Sequence, residues 1–326
     1  MAQEQPAVAT IPVIDVAPLW SDDIQDRMAV AKHLRAVATD VGFFFIKNHG
    51  VPQAMIDAQL GWCRQFFALP AAEKERIHLR QSPCMRGYEG LGAQTLDEDA
   101  PPDLKESFMI SRDLGADHPY VAQGVPNYGP NQWPRMEGFE AQMNAYYEAL
   151  SKLEMRLMRC MALSLDLPEA YFDAMYIEPM SILRLLHYPP SSAATHDDQL
   201  GAGAHTDWGM LTFLLQDDIG GLQVRATDGS WIPATPIPGT FVVNIGDMVT
   251  RMTNGVYRST MHRVKVNTTG RDRYSVVFFG EPDHHAHIEI LQDCIGEEQL
   301  YEPCSAGEHL VEMQNKTYAH KNAEAA

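Results

Sequence analysis

The hydrophobic pattern changes period partway along the chain. In the first half, apolar positions recur every three or four residues. Ile24, Met28, Ala31, Leu34 and Val37 share such a spacing, which predicts a helix over 22–40 with those residues on one face, stopped at Gly42. Residues 53–68 predict a second helix, ended by Leu69-Pro70. A third covers 135–165, with Phe139, Met143, Tyr146, Leu150, Leu153, Leu157 and Met161 on one stripe; its methionines read as core filler. Between these helices, Ile11–Asp15 reads as a short edge strand, where proline is tolerated, and Phe43–Ile46 as a buried strand before a turn at Asn48-His-Gly50. Residues 1–10 read as a loose arm. The stretch 80–130, rich in Gly, Pro and Asp, reads mostly as loop, and loops of that length usually cover or build a site.

After about residue 180 the pattern becomes that of strands. Ile182–Tyr188, Met210–Gln216, Leu222–Arg225, Thr240–Ile245, Met261–Val266 and Tyr274–Gly280 are short β-branched and aromatic runs separated by turn residues. Such spacing predicts a sandwich or barrel of jelly-roll type. Asn244-Ile-Gly-Asp247 reads as a structural turn, and Asn254-Gly255 as a hairpin turn. The expected organisation is one catalytic domain, 1–326. It has a helix-rich part with substrate-covering loops at 1–175, a β core at 176–300 and a C-terminal tail at 301–326.

Composition narrows the partners. The net charge of −18 repels phosphate backbones and anionic lipid, so neither nucleic acid nor membrane is an expected partner. No apolar run is long enough to span a bilayer, and the N-terminus lacks the pattern of a signal peptide. Five scattered cysteines without a CxxC argue against a disulfide framework and point to a reducing cytoplasm. The sequence carries no reading of oligomeric state.

Three short segments carry the chemistry. In Ala204-His-Thr-Asp207, alternation along a strand would aim His205 and Asp207 at one point. His262 lies on a later predicted strand, and two imidazoles with one carboxylate form the facial set that suits non-haem Fe(II), with zinc as the competing metal. Arg273-Tyr-Ser275 then places a guanidinium and a hydroxyl on one strand face, a pair suited to a carboxylate. Each segment alone also has a plain structural reading, as a satisfied turn or a surface arginine.

Taken with their order along the chain, these segments resemble the isopenicillin-N-synthase-like branch of the 2-oxoglutarate/Fe(II) dioxygenases. The resemblance rests on Gly42-Phe43, Asn48-His-Gly50, Arg86-Gly-Tyr88, Lys105-Glu-Ser-Phe108 and His187-Tyr-Pro189. It continues through Ala204–Asp207, Gly220–Val224, Val243–Asp247, Thr253–Gly255, Ser259–Val264 and Arg273–Ser275. It implies a mainly β fold with helical additions, in which a double-stranded β-helix is flanked by N-terminal and central helices. It implies Fe(II) on His205, Asp207 and His262. The keto acid of 2-oxoglutarate would take two of the three remaining iron positions and O₂ the last. The distal carboxylate would meet Arg273 and Ser275, with Tyr188 standing where the family often has a tyrosine reaching it; Leu186 takes a position that is polar in plant members.

The reaction implied is oxidation of a small-molecule metabolite, in secondary metabolism, with release of succinate and CO₂. Family relatives that form ethylene or dispense with 2-oxoglutarate are the alternative. No side chain beyond the metal ligands is assigned a catalytic role. Candidate substrate contacts are Arg184, Trp208, Tyr88, Phe108, Phe279 and Glu281, with Met85 beside them; a strand arginine paired with an acid is an equal reading for Arg184. His284-His-Ala-His287 reads as a solvated loop rather than a second metal site.

Overall fold

The first half of the chain builds the helical backing. β1 (Val13–Asp15) precedes α1 (Ile24–Asp40), whose first turn is capped by the Asp23 side chain accepting from the Gln25 N–H at 2.9 Å. β2 (Phe43–Lys47), α2 (Gln53–Phe67) and α3 (Ala71–Glu75) follow, then β3 (Gly87–Glu89), β4 (Glu106–Ile110), α4 (Pro119–Ala122) and the long α5 (Phe139–Ser164). The second half supplies β5 (Ile182–Tyr188), β6 (Leu200–His205), β7 (Leu211–Gln216), β8 (Leu222–Arg225), β9 (Trp231–Pro233) and β10 (Thr240–Ile245). After α6 (Asp247–Met252) come β11 (His262–Lys265), β12 (Arg273–Gly280), β13 (His287–Ile288), β14 (Cys304–Ser305) and α7 (Ala306–Ala323). This computed structural model describes residues 10–97, 101–191 and 199–323, so nearly all of the arm expected at 1–10 lies outside the described residues.

Two sheets face each other as the expected jelly roll. The larger has eight strands in the order β1-β2-β10-β7-β12-β5-β4-β3, and the smaller four in the order β6-β11-β8-β9. Because strand side chains alternate, each strand of the large sheet is divided between two environments. Leu183 and Leu185 of β5, Phe213 of β7, Val243 of β10 and Phe278 of β12 face the helices and join one large apolar core. Leu186, Tyr188, Val242 and Val277 face the small sheet and join a second, smaller cluster with Leu222 and Val264.

Several expectations are corrected. Region 80–130 is mostly loop among the described residues, as expected, but two short strands within it, β3 and β4, extend the large sheet. Their pattern is masked by buried polar residues whose partners are distant in sequence: Glu106 pairs with Lys74 at 2.7 Å, and Ser107 accepts from Arg184 at 2.9 Å. On α1, Ile24 and Met28 are exposed, and the buried face is instead Val30, Ala31, Leu34 and Ala38. That stripe fits the helical period equally well, and its small residues suit close packing on α5. Asn254-Gly255 makes no hairpin. Both residues have positive φ, and the Gly255 N–H donates to the Thr250 carbonyl at 2.8 Å, which closes the end of α6. The expected tail forms β14 and α7. The strand read at Ala204–Asp207 in fact starts at Leu200 and ends at His205, its first part hidden because Leu-Gly-Ala-Gly has little β propensity. Among the described residues no helix is long and apolar enough to cross a membrane.

Candidate functional site

Antiparallel pairing between the small sheet's β6 and β11 sets His205 directly opposite His262, with ring centroids 4.3 Å apart. Asp207 does not share the strand with His205, as simple alternation would have it. β6 ends at His205, and Asp207 reaches the same point from the turn beyond it. Its Oδ1 lies 3.8 Å from His205 Nε2 and 3.7 Å from His262 Nε2. One ligand atom from each residue fits within 4.8 Å of the others, the one such group of metal-ligating side chains among the described residues.

Surrounding groups orient these atoms. His205 Nδ1 lies 2.7 Å from the Gly203 carbonyl and His262 Nδ1 3.1 Å from the Thr260 carbonyl. A carbonyl can only accept, so each Nδ1 carries its proton and each Nε2 lone pair faces the shared point. Burial, helped by neighbouring His262, pushes His205 down to about 3, so it is neutral and free to ligate. Burial alone would raise the Asp207 carboxyl. His262 and His205 beside it, with hydrogen bonds from Asn244 and Thr212, outweigh burial and hold it below the usual carboxylate value. Asn244 Nδ2 donates to Asp207 Oδ2 at 2.8 Å. Asn244 is therefore a buried strand residue on the carboxylate and not part of a turn. The signal that would have found it is a lone polar residue at a cavity-facing position of an apolar strand, and Thr212 on β7 follows the same rule.

Across a cavity of about 150 Å³, β12 presents the second feature. Arg273 is 1% exposed, its Nε donates to the Gly220 carbonyl, and its guanidinium lies 4.4 Å from the centre of the Tyr188 ring. Arg273 Nη1 and Ser275 Oγ are both buried with no hydrogen-bond partner. Leaving such groups unmet is costly, so their orphaned state marks a place for an acceptor. The three ligand atoms suit a ferrous ion, and the guanidinium and hydroxyl suit the distal carboxylate of a dicarboxylic keto acid.

The candidate substrate contacts divide. Trp208, Phe279, Glu281 and Arg184 line the cavity, as does Met85, a non-glycine residue at φ 60. Arg184 is already engaged, pairing with Glu89 at 2.9 Å and bonding Gln94 and Ser107, which is the acid-paired reading. Tyr88 and Phe108 are misplaced as cavity residues. Phe108 stands beside Leu185 in the sheet register, Tyr88 stands beside Phe108, and all three face the helices. Tyr88 donates to Glu106 at 2.6 Å, and Phe108 packs 4.6 Å from Phe66. Unforeseen contributors include Phe43, whose ring is 5.1 Å from that of His262, and Leu310 and Gln314 of α7. His284 is half-buried rather than fully solvated, whereas His285 and His287 are exposed; His287 lies 3.3 Å from Glu289.

Comparison with known proteins agrees with this geometry. The family described as non-haem dioxygenase in morphine synthesis N-terminal matches residues 11–136, and the 2OG-Fe(II) oxygenase superfamily matches 179–282. A 2-oxoglutarate-Fe(II) type oxidoreductase of Emericella nidulans is 37% identical over 323 residues, covering 96% of this chain and 91% of the relative. A full-length Neurospora crassa protein solved in complex with alpha-KG superposes with a TM-score of 0.84 at 30% identity, covering 96% of this chain and 98% of that one. JOX2 in complex with 2OG, Fe and JA gives 0.76 at 29% identity, covering 95% and 88%. The chain thus belongs to the 2OG-Fe(II) oxygenase superfamily and is an oxidoreductase that uses Fe(II) and 2-oxoglutarate.

Proposed function

We propose that His205, Asp207 and His262 hold the ferrous ion, and that Arg273 and Ser275 hold the distal carboxylate of 2-oxoglutarate. Trp208, Phe279 and Glu281 then wall the space for a small-molecule metabolite that is hydroxylated, desaturated or cyclised. The observation that carries this reading is the pairing of two features in one cavity. Three ligand atoms lie within 4.8 Å of one another, and a buried guanidinium and hydroxyl lack any partner.

When bound, iron and its co-substrate supply the oxidation of a substrate C–H bond, with 2-oxoglutarate leaving as succinate and CO₂. The chain's own residues position and enclose. The Gly203 and Thr260 carbonyls fix the imidazole orientations, and Asn244 fixes the carboxylate. Tyr188 supports the guanidinium from below, and Gly220 anchors its Nε, leaving Nη1 for the acid. Leu186, Leu214, Leu222 and Val264 make the intervening wall apolar, which excludes water and strengthens the Arg273 contact. No side-chain general base is assigned.

Residues 1–326 act as one catalytic unit, with the N-terminal helices backing the sheet that carries the site. A cytoplasmic setting accords with five free cysteines. Structures of the Neurospora crassa protein with thymine and of JOX2 with JA show relatives holding small molecules, which supports a small-molecule substrate for this chain. The test is a metabolite-library screen read by succinate and O₂ together. Substrate-stimulated release of one succinate per O₂ is the expected result. O₂ uptake without succinate, or with ethylene, would reject the reading.

A further inference from the structure

Charge pairing inside the cavity leaves one group over. Lys105 is paired with Asp103, and Arg184 with Glu89. Arg273 makes no ion pair among the described residues and is accounted for by the co-substrate carboxylate. On the reading above, Fe(II), Asp207, 2-oxoglutarate and Arg273 balance one another in charge. Glu281 remains. It lines the same cavity, is 4% exposed, and its Oε2 is buried with no hydrogen-bond partner.

The carboxyl is held in place on purpose-built backbone. The Glu281 N–H donates to Ser181 Oγ at 3.0 Å, and Ser181 Oγ lies 3.2 Å from the Glu281 carbonyl, so both backbone groups of Glu281 meet one hydroxyl. Its carboxylate oxygens lie over Gly209, where a Cβ would fall 2.6 Å from each. The Gly280 carbonyl oxygen would stand at the same 2.6 Å, so a glycine at 209 lets both the β12 backbone and this acid approach two residues beyond Asp207. Phe279, one alternation earlier on β12, and Trp208, next to Gly209, place aromatic surface beside it.

Burial, with the Glu154, Asp207 and Asp247 carboxyls nearby, raises the Glu281 carboxyl well above its ordinary value, so nothing within the fold favours its charge and a cationic partner would have to supply what does. The carboxyl is a good recognition device for a cation, since a charge-assisted hydrogen bond in a dry site is strong and directional. Aromatic faces flanking it add cation–π attraction. We infer that the primary substrate is a small organic cation, an amine, amidine or guanidine, whose nitrogen pairs with the Glu281 carboxyl beside Trp208 and Phe279. This deepens the reading of the site given above and rests on it.

The experiment uses the full chain loaded anaerobically with Fe(II) and 2-oxoglutarate. A panel of primary amines, amidines and guanidines is run against their neutral isosteres, the corresponding alcohols, amides and ureas. Two readouts are taken: change in the visible absorption of the iron–2-oxoglutarate complex on adding each compound, and succinate release after O₂ is admitted. Stimulation confined to cationic members is expected. Glu281→Gln keeps the shape and cannot ionise to meet a cation, and should raise KM for those members at least about 30-fold. Its 2-oxoglutarate absorption and thermal midpoint should stay as in the unsubstituted protein. Stimulation by neutral isosteres alone, by no cationic member, or by cations equally well in Glu281→Gln would overturn the inference. Absence of the iron–2-oxoglutarate absorption from the unsubstituted protein would instead strike the assignment of the site itself.

Discussion

The two faces of the large sheet are made by the same strands yet obey different rules. On the helix face, Leu183, Leu185, Phe213, Val243 and Phe278 are fully buried apolar groups in the core shared with the helices. On the cavity face, one residue along, stand Arg184, Ser275, Thr212, Asn244 and Val277. Both faces are buried, but the second gathers four partnerless polar atoms around one cavity, at Arg184 Nε, Arg273 Nη1, Ser275 Oγ and Glu281 Oε2. Partnerless buried atoms also occur among the helices, at Gln59 Oε1, Tyr146 Oη and Glu154 Oε1, but none of those residues lines this cavity. A group of side chains left unsatisfied around one space is waiting for something from outside.

That contrast can be broken by substitutions on either face. Phe108→Ala, on the helix face, should cost the most, about 3–5 kcal/mol of stability from the lost aromatic and the cavity left behind, with 2-oxoglutarate KM unchanged. Denaturant unfolding with parallel kinetics would check it, and an equal loss of co-substrate affinity would blur the two faces into one. Arg273→Leu, on the cavity face, should do the reverse. It should weaken 2-oxoglutarate by about 2–4 kcal/mol, roughly 30- to 1000-fold, while stability holds or rises because an unpaired buried charge is removed. Calorimetric titration of the iron-loaded protein decides this, and an unchanged co-substrate affinity would move the anion site elsewhere. Asn244→Ala should have the smallest effect. It removes the 2.8 Å bond to Asp207 Oδ2 and should lower iron affinity about 10- to 100-fold without touching 2-oxoglutarate recognition directly. Competition with a chelator would measure it.

The same contrast explains what the sequence discloses. His205, Asp207, His262 and Arg273-Tyr-Ser275 are legible because their residue types occur together and in order, on or just beyond strands. The strands of the second half are legible because their apolar runs and turn residues are dense. Tyr88 and Phe108 go to the wrong face because β3 and β4 carry no legible strand pattern, and without a strand there is no alternation to count. Arg184 stays open in the sequence, since its partners Glu89 and Gln94 lie some ninety residues earlier and meet it only through the β4–β5 pairing. Asn244 is hidden by its neighbours Gly246 and Asp247, which do make a helix start, so that the whole segment reads as a turn. Leu310 and Gln314 enter the cavity on a helix whose polar sequence gives little periodic signal, held in part by Gln314 Nε2 donating to Asn127 Oδ1 at 3.2 Å.

Anaerobic titration of the metal-free chain with Fe(II) in the presence of 2-oxoglutarate, for the unsubstituted protein and Asp207→Ala side by side, bears most directly on the iron site. One ferrous ion per chain with a visible iron–2-oxoglutarate absorption is expected for the first. The variant should keep the same thermal midpoint and lose both. Iron binding of equal affinity in Asp207→Ala would mean that the two imidazoles and this carboxylate do not share a metal.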